Sequence, residues 1–131
     1  MLTEKSNPQR FPVVGIGASA GGLEALNELL DCLPADTGMA FVIVTHQHPG
    51  HTSLLPELLA RETEMVVAEA SDGTKLEPNH VYVGTPGGHL AILNGTLHRM
   101  ETGAEYSPRL PIDYFFRSLA DDQKEHAICI V

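Results

Sequence analysis

Basic residues are scarce in this sequence of 131 residues, which has 8 lysines and arginines against 17 aspartates and glutamates. The formal net charge of −9 repels phosphate backbones and anionic lipids, which argues against binding to nucleic acids or membrane surfaces. Apolar runs long enough to span a bilayer are missing, and the polar start MLTEKSNPQR lacks the apolar core of a signal peptide. We therefore expect neither a membrane span nor a signal peptide.

Cysteine is also rare, because the chain contains only Cys32 and Cys129, which are far apart. The two residues fit no metal-binding spacing, so we expect two free thiols in a reducing compartment. The localisation predicted from these features is cytoplasmic.

Apolar runs alternate with segments of helical spacing in the first half of the chain, and 43% of all residues are hydrophobic. Strands are predicted for FPVVGIGAS, MAFVIVT and MVVAEA, and helices for GGLEALNELLDCLP and SLLPELLARET. This order predicts right-handed crossovers and a doubly wound, mostly parallel, Rossmann-like α/β sheet. We expect one domain over residues 11–131, after a flexible arm over residues 1–10.

The pattern changes in the second half, where HLAIL and TLHRM are alternating runs joined by Asn94 and Gly95. Asn-Gly between such runs predicts a β-hairpin, which is either an insertion or an antiparallel edge of the sheet. PIDYFFRSLADD is predicted to form a helix with Phe115, Leu119 and Ile112 on its inner face. HAICIV is predicted to open another buried strand.

Doubly wound sheets bind their ligands beyond the carboxyl ends of the strands. The same edge of the predicted sheet should therefore carry the functional residues. The positions to search follow Gly17, Thr45, Gly84 and Val131.

The segment GIGASAGG, at the first of these positions, permits three interpretations. As G-x-G-x-x-A it resembles a dinucleotide fingerprint, which also needs an acidic residue at the end of the second strand, where Thr45 and His46 stand. As G-x-S-x-G it presents Ser19 as a nucleophile on a sharp turn, with backbone N–H groups that can hold an oxyanion. As a purely structural turn, it leaves Ser19 only to cap the following helix.

The segment VIVTHQHPGHT places three histidines directly after the second predicted strand. His46 is the first of them, and it can act as the general base for Ser19 because the first two strands of this fold are normally neighbours. The rival interpretation is a metal site of His46, His48 and His51. That spacing resembles the H-x-H-x-D-H signature of metallo-β-lactamases, but Gly50 stands at the acidic position.

The turn Thr85–His89 follows another predicted strand, so it should lie at the same rim. Gly87 belongs to its Pro-Gly-Gly core, and His89 is placed where a substrate would arrive. We expect Thr85, Gly87 and His89 to border the substrate cleft.

Four blocks of the sequence, in order, resemble the catalytic domain of the chemotaxis protein-glutamate methylesterases. The blocks are IGASAGGLEAL, VTHQHPGHTSLLPELL, EASDGTKLEPNHVYVGTPGGHL and RLPIDYFFRSLA. The segments LLPELLAR and LPIDYFFRSLA most resemble the methylesterase domain that is fused to a receptor methyltransferase in hybrid signalling proteins.

This resemblance implies a serine esterase that hydrolyses glutamyl methyl esters on the cytoplasmic helices of chemoreceptors and that can also deamidate receptor glutamines. It implies a Ser-His-Asp triad that uses no metal and no cofactor. Ser19 matches the nucleophile and His46 the base. Ala20 stands where the family often has threonine, so its backbone N–H would serve the oxyanion.

The resemblance also implies a triad aspartate in a glycine-rich loop beyond Val131, which would make this chain a C-terminally truncated fragment. Loss of the orienting acid costs serine proteases about 10⁴ in rate, so we expect weak or no activity from the fragment alone. The absent acid motivates a second hypothesis, a non-catalytic docking or regulatory module of a hybrid signalling protein. A metal-dependent hydrolase is the third hypothesis.

Overall fold

The structure, a computed structural model, describes residues 11–19, 22–45, 54–84, 88–101 and 111–131. The predicted arm over residues 1–10 lies outside these ranges. In chain order the elements are β1 (Val13–Ala18), α1 (Leu23–Cys32), β2 (Ala40–Thr45), α2 (Leu55–Ala60), β3 (Val66–Glu69), β4 (Thr74–Lys75), β5 (His80–Val83), β6 (Gly88–Leu93), β7 (Thr96–Glu101), α3 (Pro111–Gln123) and β8 (Ala127–Ile130). Within the described ranges, no helix is both long and apolar enough to cross a membrane.

The apolar runs form a five-stranded sheet in the order β3-β5-β2-β1-β8, and every pairing in it is parallel. The predicted doubly wound α/β architecture is therefore confirmed. β1 and β2 are neighbours, with Val13 opposite Ala40 and Ala18 opposite Thr45. The strands β1 and β2 are apolar almost throughout because both faces of the sheet are covered.

The two faces of the sheet have separate cores. On one face, Leu26 and Leu30 of α1 and Leu59 of α2 pack against β1, β2 and β5. On the other face, Phe115 and Leu119 of α3 pack against the same sheet together with the β6–β7 hairpin. The helix over PIDYFFRSLADD therefore buries the two residues predicted for its inner face, and the third, Ile112, is half-buried against them.

The predicted hairpin is present, and it belongs to a second sheet of three antiparallel strands in the order β4-β7-β6. The insertion alternative is thus correct, and an antiparallel edge on the parallel sheet is wrong. Asn94 and Gly95 both have positive φ angles, 54° and 72°, as a tight hairpin turn requires. The Asp122 carboxylate of α3 accepts the backbone N–H groups of both residues and so docks the turn onto the helix.

The prediction that HAICIV forms a buried strand is wrong for the described residues. β8 lies at one edge of the sheet and pairs only with β1 among the strands that the structure describes. Ile128 and Ile130 are 41% and 39% exposed because no described element covers them.

Helix α3 lies unusually close to β1, and two glycines of that strand make the approach possible. A Cβ atom added at Gly15 would lie 2.8 Å from Leu119 Cδ2, and one added at Gly17 would clash with Ile112 Cγ2. Since real Cβ atoms do not approach so closely, any larger residue would push α3 away from the sheet. Gly17 is two residues before Ser19, so this contact also sets how α3 stands relative to the turn after β1.

The contact between β1 and α3 predicts that Gly17→Ala destabilises the protein by about 1–3 kcal/mol through overpacking. Urea unfolding monitored by circular dichroism measures the change. In an Ile112→Ala background the same substitution should cost less, because the obstructing methyl groups are gone. Equal losses in the two backgrounds would show that the packing explanation is wrong.

Candidate active site

Ser19 is the first residue after β1, and its side chain is exposed at the carboxyl edge of the sheet. The carbonyl oxygen of Ser19 accepts a hydrogen bond of 2.9 Å from the N–H of Gly22, which closes the turn into α1. Gly22 occupies the N-cap of α1, so Ser19 lies three residues before the capping position. β1 thus ends directly before Ser19 and α1 begins at Leu23, which is the order of elements that G-x-S-x-G requires, and the N-cap of α1 is Gly22 and not Ser19.

Ser19 also lies next to the topological switch point of the sheet. β1 is connected through α1 to β2 on one side, and its other neighbour, β8, is reached through α3. Because α1 and α3 cover opposite faces, the winding reverses between β1 and β8. Open α/β sheets bind ligands in the crevice outside such a point, which makes the Ser19 turn the expected place for chemistry.

The second strand ends beside the same turn. Thr45, which precedes His46 in the chain, is the register partner of Ala18, which precedes Ser19. Neighbouring strands are separated by about 4.8 Å, so the chain leaves β2 one strand spacing from the serine turn. His46, His48 and His51 lie outside the described residues, as do Ala20, Thr85 and Gly87. Their predicted roles therefore stay predictions.

A pocket opens at this edge, beside the ends of β2 and β5, and the antiparallel sheet and α3 complete its wall. Its lining includes Thr45, Gly84, Gly88, His89, Arg99 and Pro111. Thr45 contributes from the strand next to Ser19, and Pro111 is the first residue of α3. The pocket thus lies between the parallel sheet and the antiparallel sheet, at the end of β2, the strand next to the one that precedes Ser19.

His89 is the predicted cleft residue that the structure describes, and it does line this pocket. It is only 6% exposed, and its ring lies 5.5 Å from the ring of Tyr114 on α3. Burial disfavours the charged imidazolium and lowers the pKa of His89 below its usual 6.5. Burial therefore favours the neutral form of the ring.

Arg99 is a pocket residue that the sequence reasoning missed. It lies on β7, and its guanidinium rests against Gly88, where an added Cβ would lie 3.0 Å from Arg99 Cζ. A signal for it existed in the alternation of TLHRM, because Arg99 shares a strand face with Leu97, which is fully buried. A charged residue on the inward face of an alternating run is a reason to expect a site.

The described residues contain neither a cluster of metal ligands nor the acidic residue that a dinucleotide fingerprint needs after its second strand. Within the described ranges, no three His, Cys, Asp or Glu side chains converge as metal ligands. The last described residue of β2 is Thr45, where a dinucleotide fingerprint needs an acid. The histidine triplet of the metal hypothesis lies outside the described residues.

Comparison with protein families shows which of these resemblances is correct. Residues 14–131 match the family model of the CheB methylesterase. The chain belongs to the CheB methylesterase family. The family match agrees with the resemblance of the four sequence blocks, and it extends over both described sheets and over α1, α2 and α3.

Curated relatives agree with the CheB assignment. The chain is 36% identical over 120 residues to protein-glutamate methylesterase/protein-glutamine glutaminase 1 of Xanthomonas campestris, covering 88% of this chain and 33% of the relative. It is 32% identical over 123 residues to the protein-glutamate methylesterase/protein-glutamine glutaminase of Pectobacterium atrosepticum, covering 91% of this chain and 35% of the relative. The chain thus spans about a third of the length of the curated relatives that it matches.

A solved CheB structure has the same architecture. The crystal structure of the Thermotoga maritima CheB methylesterase catalytic domain superposes with a TM-score of 0.79 at 28% identity. The match covers 92% of this chain and 66% of that one. The doubly wound sheet with an added antiparallel sheet is therefore the fold of a CheB catalytic domain.

The burial of His89 predicts a pH-dependent contribution to stability. Because its folded pKa lies below the unfolded value of 6.5, the unfolded chain binds more protons as the pH falls through the window between the two values. The free energy of unfolding should therefore decrease across that window, and His89→Gln should flatten the decrease. Urea unfolding at a series of pH values between about 5 and 8 measures it.

His98→Gln is the matched control, because His98 is on the same hairpin but 45% of its side chain is exposed. This variant should keep the wild-type slope. A nuclear magnetic resonance titration of the His89 ring with a midpoint at or above 6.5 would contradict the assigned direction.

Proposed function

We propose that this chain forms part of a serine esterase that hydrolyses glutamyl methyl esters on chemoreceptors and can also deamidate receptor glutamines. Support comes from membership of the CheB family and from the placement of Ser19 on a strand-turn-helix at the switch point. The single observation that carries the proposal is the parallel register in which Ala18 faces Thr45. Because of this register, the segment that contains Ser19 and the segment that contains His46 begin at the ends of adjacent strands.

In the proposed reaction, the Ser19 hydroxyl attacks the ester carbonyl carbon while His46 takes its proton. The negative charge that develops on the carbonyl oxygen is held by backbone N–H groups, with Ala20 as the assigned donor. His46 then donates the proton to the methoxy oxygen, the bond between this oxygen and the carbonyl carbon breaks, and methanol departs. The substrate acyl group stays bound to Ser19 as an ester. Water, deprotonated by His46, attacks that ester to release the glutamate carboxylate and restore Ser19.

The triad acid is proposed to follow β8. This strand is the second neighbour of β1, with Ile16 opposite Ile130, so a loop after it would reach the same edge as Ser19. A carboxylate there would hold the His46 imidazole in the tautomer that accepts the serine proton. No metal or cofactor is assigned a role in this mechanism.

The proposed partners are the cytoplasmic helices of methylated chemoreceptors, which places the activity in the cytoplasm. We also propose a receptor methyltransferase domain in the same full-length polypeptide. The resemblance of the segments LLPELLAR and LPIDYFFRSLA to the hybrid signalling proteins supports it. Residues 11–131 are proposed to act as one methylesterase domain, with Thr85, Gly87 and His89 bordering the substrate cleft.

The deciding experiment measures methanol release from methylated receptor by the full-length protein. Ser19→Ala and His46→Ala should each lower the rate by at least about 10³-fold, because each removes a member of one catalytic unit. The double variant should be no slower than either single variant, since the residues act together. A serine-directed phosphonate should inactivate the wild-type protein, and a chelator should leave it active.

His48→Ala is the matched control, because this histidine is in the same segment but has no role in the serine mechanism. It should retain the wild-type rate. Loss of activity in His48→Ala together with stoichiometric zinc would establish the metal-dependent hydrolase instead. Receptor binding without any methanol release would establish the non-catalytic docking module.

A further inference from the structure

The turn between β6 and β7 consists of Asn94 and Gly95, a dipeptide with a chemistry of its own. Asparagine is a thermolabile residue, because the backbone nitrogen of the next residue can attack its side-chain amide carbon. Glycine at that next position leaves the nitrogen unshielded, since it has no Cβ. The other asparagines of the chain, Asn7, Asn27 and Asn79, are followed by proline, glutamate and histidine. Asn94 is therefore the asparagine of this chain at which the attack is least hindered.

The exposure of the turn also suits this reaction. Asn94 is exposed, so water reaches its side-chain amide, whereas Gly95 is buried. The reactive amide thus lies at the surface, and the nitrogen that would attack it lies on the inner side of the turn, toward α3.

The Asp122 carboxylate of α3 holds that nitrogen. Its Oδ2 accepts the N–H of Gly95 at 3.0 Å, and its Oδ1 accepts the N–H of Asn94. The Gln123 side-chain amide donates a 2.7 Å hydrogen bond to the same Oδ2 and helps to orient the carboxylate. Attack requires the glycine nitrogen to lose its proton, and the carboxylate disfavours that loss because it would face a second negative charge.

The carbonyl side of Gly95 is fixed as well. The N–H of Leu76 donates a 3.0 Å hydrogen bond to the Gly95 carbonyl oxygen. Leu93 pairs with Thr96, so only two residues connect the strands. A change in the backbone angles of this turn requires these bonds to break first. The free energy of that local opening should therefore limit any reaction that needs another turn geometry.

From these contacts we propose that Asn94 is a site of spontaneous deamidation, and that the Asp122 carboxylate restrains the reaction while the turn is docked on α3. In the reaction the Gly95 nitrogen forms a bond to Asn94 Cγ, the Cγ–Nδ2 bond breaks, and the nitrogen's proton leaves with the amide as ammonia. Water then hydrolyses the resulting succinimide at either carbonyl carbon and gives aspartate or isoaspartate. The proposal is independent of the esterase function.

Deamidation would change the contact between the hairpin and α3. Either product carries a new carboxylate at the turn, next to Asp122, and like charges that close repel each other. Isoaspartate also adds a backbone atom to a turn that has room for two residues only. The deamidated chain should therefore release the turn from α3, the helix that also packs against β6.

The test follows residue 94 of the full-length protein by peptide mass mapping during incubation at neutral pH, since deamidation replaces an amide NH2 by OH. Asp122→Asn should deamidate Asn94 about 10- to 100-fold faster than the wild-type protein, the factor expected for the loss of a hydrogen bond to a charged group. Asp121→Asn is the matched control, because it removes the adjacent exposed acid of α3, and it should keep the wild-type rate. Asn27 and Asn79 should stay unmodified over the same time.

Two further measurements separate the restraint from a general loss of folding. Asp122→Glu retains a carboxylate and should restore part of the protection. A synthetic peptide of residues 91–98 has the same Asn-Gly sequence without α3, and it should deamidate at least about 10-fold faster than the folded wild-type protein. This comparison remains valid if Asp122→Asn does not fold, which circular dichroism shows.

The effect on the fold is tested with an imitation of the product. Asn94→Asp reproduces the aspartate form and should lower the midpoint of thermal unfolding more than Asn94→Gly does. Glycine is uncharged and tolerates the positive φ of 54° at this position. Equal midpoints for the two variants would reject the proposed repulsion from Asp122.

Three results would overturn the proposed site or its restraint. Equal rates for Asp122→Asn and Asp121→Asn would show that Asp122 has no special role. A slower reaction in Asp122→Asn would show that the carboxylate removes the Gly95 proton and promotes the reaction. An intact Asn94 in folded Asp122→Asn, after the peptide has been fully converted, would show that residue 94 is not a deamidation site.

Discussion

The parallel pairing of β1 with β2 is the constraint on which the rest of the structure depends. Its register places Ala18 opposite Thr45, so the chain leaves both strands at the same edge and at the same height. A shift of one residue would turn every side chain of a strand to the opposite face of the sheet, and the two cores would be lost. The hydrophobic cores on both faces therefore hold the register that the proposed chemistry needs.

Helix α3 gives the sheet its second face and also completes the edge where the pocket opens. Its approach to β1 depends on Gly15 and Gly17, which leave space for Leu119 and Ile112. The helix also packs against the edge strand β6, where the Ser118 hydroxyl accepts the backbone N–H of Ile92. One element thus connects the strand that precedes Ser19 with the strand that bears His89.

The antiparallel sheet contributes residues directly to the candidate site. It supplies Gly88, His89 and Arg99 to a pocket whose remaining wall comes from the parallel sheet and α3. A doubly wound sheet provides a common edge for functional residues, but that edge by itself is chemically general. The added layer places a buried imidazole and a guanidinium in the pocket next to the end of β2.

The amino-acid sequence by itself predicted the longer strands, the helices α1, α2 and α3 and the hairpin, because apolar periodicity and the Asn94-Gly95 turn are local signals, but it did not predict the two-residue strand β4. It also led us to propose Ser19 as the nucleophile through the glycines on either side, since a tight strand-to-helix turn has a local signature. The exposure of β8 and the separate antiparallel sheet were decided by tertiary structure, because a strand's burial depends on which elements pair with it and cover it. The pocket of His89 and Arg99 likewise exists only in the folded chain, where burial lowers the pKa of His89 and the missing Cβ at Gly88 lets Arg99 lie against the backbone.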